Sequence, residues 1–113
     1  MAQNIIVAQR SVPATVVTYL QAVQTQFPIE RAYLFGSYAH GTNSAESDID
    51  IAVVSSAFVG DHFQDDVELG MLKLNIDRRI EPRGFLPEQF TESDMLAEEI
   101  QRTGIELTAL LQM

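Results

Sequence analysis

The chain has 113 residues, 46% of them hydrophobic, with no cysteine and 16 Asp and Glu against 7 Lys and Arg, a formal charge of −9. That length and hydrophobic content fit one domain spanning residues 1–113, and the missing cysteines exclude disulfides, thiol catalysis and thiolate metal sites. Nucleic acid is held mainly through Lys and Arg on its phosphates, so no direct nucleic-acid binding is expected; a metal ion or a partner with a basic face suits the charge better.

The N-terminal "MAQNIIVAQR" lacks the apolar run of a secretory signal. No later stretch approaches the ~18 apolar residues of a membrane span. A cytoplasmic location is therefore expected. Residues 11–27 follow as an amphipathic helix, with Val12, Val16, Leu20, Val23 and Phe27 at helical spacing, Ser11 as N-cap and Pro13 in the first turn. Pro28 stops it. "IERAYLF" (29–35) is a strand ending at Gly36, and "DIDIAVV" (48–54) is a second; the segment between them is rich in Gly, Ser, Thr and Asn.

A second helix is predicted over 62–73, with Asp61 as N-cap and Phe63, Val67 and Leu74 on one side. Gly70 inside it costs about 0.5–1 kcal/mol relative to Ala and would mark a close contact with a neighbour. "NIDRRIEP" (75–82) reads as a strand closed by Pro82, and "FLPEQF" as a turn. A last helix covers 92–102, started near Thr91 and Asp94 and stopped by Gly104. The tail "IELTALLQM" fits a short strand or a helical turn equally well. The order predicts an α/β (α+β) fold, a small mixed sheet with helices on one face and the other face or an edge open to a ligand.

The chemistry gathers around "LFGSYAHGTNSAESDIDIAVV". Asp48 and Asp50 lie two apart, so a strand points both to one side, while Ile49, Ile51 and Val53 turn to the core. Two adjacent carboxylates repel unless a cation lies between them, and magnesium accepts one or two carboxylates plus substrate phosphates. Gly36 lets the backbone approach a ligand closely, and Ser37 and the backbone N–H groups after the turn offer donors to phosphate. A third acid would complete a two-metal centre. Asp77 is the first choice, sharing a strand face with Arg79 and Glu81; Glu81 is the alternative, further along before Pro82.

Gly-Ser, ten residues, then Asp-x-Asp resembles the signature of the DNA polymerase β-like nucleotidyltransferase superfamily. The short length and "IDRRIEP" after one helix are similar to its minimal nucleotidyltransferase (MNT) domains, in particular the antitoxins of HEPN–MNT toxin–antitoxin pairs. The resemblance covers roughly residues 29–104. It implies that Gly36 and Ser37 bind the triphosphate of ATP, that Asp48 and Asp50 ligate magnesium, and that Asp77 is the third carboxylate and metal ligand. The implied reaction moves AMP from ATP to a hydroxyl and releases pyrophosphate. In the antitoxin subgroup the acceptor is a tyrosine of the HEPN toxin, a ribonuclease. Little chain remains after residue 104 for an acceptor-binding domain, so an acceptor delivered by another molecule fits.

Blander readings stand beside these. Asp48 and Asp50 could be solvated strand-entry residues, Gly36 and Ser37 a plain turn, and Asp77 a surface acid paired with Arg79. Arg78, Arg79 and Arg83 read as phosphate or partner contacts, or as solvated charges. His40 and Tyr38 sit in the phosphate loop, and His62 at a helix start is structural. Met71, Met95 and Leu96 are core or interface residues. The rival to the enzyme is a binding module that neutralises its HEPN partner by covering it.

Overall fold

Pro13 decides where the first helix begins. In the computed structural model of the chain, which describes residues 4–112, α1 runs Ala14–Gln24, three residues later than the sequence reading placed its start. A residue before proline is driven to extended backbone. Val12 therefore joins a strand, β2 (Arg10–Pro13), paired antiparallel with β1 (Asn4–Val7) so that Ile5 faces Val12. The two residues that turn the chain, Ala8 and Gln9, both have positive φ (49° and 66°). A two-residue hairpin needs that geometry, but Asn-Gly or Asp-Gly normally announces it, and its absence hid this hairpin. Ser11 Oγ accepts from Asn4 Nδ2 at 2.6 Å instead of capping the helix.

The main sheet has the order β5-β4-β3-β6, from β3 (Arg31–Phe35), β4 (Ile49–Val54), β5 (Ile80–Phe85) and β6 (Ile105–Glu106). β3 is antiparallel to both β4 and β6, whereas β4 and β5 are parallel. A parallel neighbour requires a crossover, and α3 (His62–Lys73) supplies it. Ile49, Ile51 and Val53 pack with Val16, Leu20 and Val23 of α1 and with Leu69 of α3. On the opposite face Ala52, Val54 and Phe85 meet Phe90 and two residues of α4 (Met95–Thr103), Ala97 and Ile100. The mixed α/β architecture is as expected. Its second face is not wholly open, because α4 covers the Ala52–Val54 half and leaves only the Asp50 end clear.

Three expected details change. Asp61 does cap α3, accepting from Gln64 N, yet Phe63, Val67 and Leu74 point to solvent. The buried side carries Leu69 and Asp65, whose carboxylate accepts from the N–H groups of Val59 and Gly60 and so draws that side inward. Pro82 does not end its strand but lies inside β5, tolerated because β5 is an edge strand. Asp94 rather than Thr91 caps α4, accepting from Ala97 N, and Met95 is exposed. The undecided tail forms both options, β6 and then a 3₁₀ turn, Thr108–Gln112. Among the described residues no helix is long and apolar enough to cross a membrane.

The two sides of α3 make opposite predictions. Leu69→Ala removes a fully buried side chain, and unfolding in urea should show a loss of roughly 2–5 kcal/mol. Phe63→Ser, at a position 80% exposed, should stay within about 0.5 kcal/mol of the parent.

Candidate active site

The register of β3 on β4 sets Phe35 opposite Asp50, so the chain leaving β3 passes directly over the Asp50 side chain. Gly36 is the next residue. Its φ is +72°, and a Cβ built there would sit 2.2 Å from Asp50 Oδ2. Glycine is therefore required twice, by backbone conformation and by space. The chain then closes into α2 (Ser37–His40), ended by Gly41 in the left-handed region.

Asp50 and Asp48 share one side, with Ile49 and Ile51 buried on the other. The parallel register sets Glu81 beside Asp50. Burial first, then the charges of Asp48 and Glu81, push the Asp50 carboxyl above the ordinary carboxylate range, against a smaller pull from Arg83. Asp48 and Glu81 thus each lie near Asp50 at one end of the sheet. Glu81 also receives Lys73 Nζ at 3.3 Å.

Asp77 is elsewhere. It falls in the turn before β5, not on the strand, because the strand begins only at Ile80. It accepts from Thr15 Oγ1 at 2.6 Å and from Arg79 Nε and Nη2 at 3.0 and 2.8 Å. These hydrogen bonds, Arg79's foremost, hold its carboxyl down at about 2. Arg79 Nη1 reaches on to the hydroxyl of Tyr38, which is buried rather than offered to a base. Arg79, Tyr38, Gly41 and Thr15 line a cleft of about 370 Å³ under the β1–β2 hairpin. Glu81 is the second of the two candidates for the third acid in the sequence. Its signal lay in the alternation of Ile80, Pro82 and Gly84 with Glu81 and Arg83, which the reading of Pro82 as a stop cut short. His62 is structural as expected, stacked edge-on against Phe85, while His40 is exposed.

The family model described as polymerase beta, nucleotidyltransferase matches residues 19–109. The chain belongs to this nucleotidyltransferase family. Its fold is similar to that of a protein from Sulfolobus solfataricus assigned to the nucleotidyltransferases (21% identity, 82% of this chain and 74% of that one, TM-score 0.54). It is also similar to a chain of a toxin–antitoxin structure determined with AMP-PNP (22% identity, 88% of this chain and 82% of that one, TM-score 0.61). No curated protein matches the chain.

For a nucleotidyltransferase the donor chemistry fits magnesium. Among the described residues no three acidic or histidine side chains converge into a ready-made metal cage. The acids at this end are hard oxygen donors, and magnesium is commonly held by one or two carboxylates with substrate phosphates filling other positions. Burial first, and then the charges of Asp48 and Glu81, push the Asp50 carboxyl up, and a bound cation would oppose that push.

Two measurements separate the acids. Asp77 has a depressed carboxyl, so the stability it contributes is complete above the unfolded value near 4 and is lost as pH falls towards 2. Asp77→Asn should therefore cost roughly 2 kcal/mol at pH 7, a difference that closes between about pH 4 and 2 in denaturant titrations. Asp50 has the opposite sign, since its ionisation is disfavoured in the folded state. Asp50→Asn should raise the melting temperature of the magnesium-free protein at pH 7, and the gain should vanish in acid.

Proposed function

We propose that this chain is a magnesium-dependent nucleotidyltransferase that moves AMP from ATP to a hydroxyl of a partner protein, a tyrosine of an HEPN ribonuclease toxin. The observation that carries the reading is that Asp48 and Glu81 each lie near Asp50, over whose carboxylate the Gly36 turn passes. The likeness in fold to a toxin–antitoxin structure determined with AMP-PNP supports an ATP-like nucleotide and a toxin as partner, while the HEPN class of that toxin comes from the sequence resemblance.

In this reading Gly36 and Ser37 hold the triphosphate, and Asp48, Asp50 and Glu81 hold magnesium. Glu81 takes the place first given to Asp77, which acts as a positioning residue. Bound magnesium would lower the pKa of the attacking hydroxyl and offset charge on the leaving pyrophosphate. The acceptor oxygen attacks the α-phosphorus of ATP; the new P–O bond forms as the bond to the bridging oxygen of pyrophosphate breaks. Glu81, exposed on the edge strand, accepts the hydroxyl proton. Gly36 leaves the Asp50 carboxylate its room, and the aliphatic residues behind it keep it from turning away from substrate.

Transfer from α-labelled ATP with magnesium to the polypeptide encoded beside this chain tests the reading. Asp48→Asn, Asp50→Asn and Glu81→Gln should each lower the rate roughly 100-fold or more, whereas Asp77→Asn should retain much of it at pH 7. Neutralisation of the partner by all four variants without any labelling would mean the binding module instead.

A further inference from the structure

Helix α3 is amphipathic twice over. Its inner side meets the core through Leu69, while its outer side carries Phe63, Val67, Met71 and Leu74, which are 80%, 45%, 66% and 44% exposed. These positions advance by four, four and three residues, so they form one stripe along the helix. Scattered surface apolar residues need no explanation, but a contiguous row of four large ones does. Gly70 lies in the same stripe, and a Cβ there would meet nothing within 4 Å. Among the described residues nothing in the packing requires a glycine at that point, although it weakens the helix by about 0.5–1 kcal/mol. Its remaining use is to let another backbone come close.

Beside the stripe a groove of about 380 Å³ runs between α3 and β5, over Gly70 and Pro82, with Glu81 among its walls. The stripe is thus continuous with an acid of the candidate active site. The charges around it are one-sided. Asp61 and Glu68 are exposed on the helix, while the nearby cations are engaged, Lys73 by Glu81 and Arg83 by Asp66. Two copies of this surface would bring acid against acid, and an anionic lipid surface would be repelled.

We propose that the α3 stripe and its groove dock an amphipathic helix of the protein acceptor, apolar along one side with Lys or Arg flanking it. Docking there delivers the acceptor hydroxyl to Glu81 and Asp50. The delivery step rests on the transferase reading above; the docking surface rests on the exposed stripe, Gly70 and the charge pattern.

The full chain, carrying p-benzoylphenylalanine at position 63, is irradiated in cells that also produce the polypeptide encoded beside it, and the crosslinked residues are mapped. Crosslinks to an apolar helix face with Lys or Arg beside it are expected. Met71→Glu should then weaken that complex at least tenfold while leaving the melting temperature and magnesium–ATP binding unchanged, and affinity should fall as salt rises. Crosslinks to a second copy of this chain, crosslinks to neither protein, or an affinity indifferent to Met71→Glu would overturn the proposal. Docking without AMP transfer would uphold the surface and overturn the transferase reading. Transfer that ignores the stripe variants would do the reverse.

Discussion

The close passage of the Gly36 backbone over the Asp50 carboxylate is the contact on which the rest is arranged. It exists because Phe35 pairs with Asp50, and it can exist only with glycine next in the chain. From that point the sheet gathers charge instead of dispersing it. The antiparallel neighbour brings the Gly36 turn to Asp50, and the parallel neighbour brings Glu81. Isolated carboxylates would separate, but the Ile49, Ile51 and Ile80 side chains buried beneath them fix the strands in place. The fold therefore holds an electrostatic cost, visible in the raised Asp50 carboxyl, that a cation reduces.

The Asp77 network has a part in that arrangement although it stands apart from it. Asp77 ties the turn before β5 to the start of α1 through Thr15, and its Arg79 reaches Tyr38 in α2. Arg79 O accepts the first ladder bond of β5 from Ile49 N. A slip of one residue in this strand would send Glu81 to the opposite face, since side chains alternate with a period of two. The network holds the register at the end where a slip would begin.

What could be read from the chain alone divides by the range of the interaction. Asp50 on one side and Ile49 and Ile51 on the other follow from strand alternation and stand in the structure, whereas Asp48 falls just before the strand, which starts at Ile49. Asp61 as the cap of α3 and Gly104 as the stop of α4 are likewise local. The choice between Asp77 and Glu81 was not local. It depended on which residue the parallel register sets against Asp50, and on Pro82 being acceptable because β5 is an edge, a property of the sheet order. The outward turn of Phe63, Val67 and Leu74 was hidden for a related reason: helical spacing reveals a stripe but not which side of the helix the sheet receives. The N-terminal hairpin lacked its usual turn residues, and Pro13 permitted a helix start on either side of Val12.

The outer edge of β5 has a consequence for how this protein behaves in a crowded solution. Ladder bonds to β4 use Arg79 O and Phe85 O, which turns the alternate positions outward. Of the amides at those positions, Ile80 N–H donates to Asp77 O, Gly84 N–H donates to Asp66, and Pro82 has none. An open strand edge invites another strand to add itself, the usual route to sheet-to-sheet aggregation. Here each outward donor is engaged or missing, so the strand bearing Glu81 has no free N–H to offer an added strand. The acid at the rim of the sheet stays reachable by side chains while the backbone beside it has lost the donors through which another strand would add.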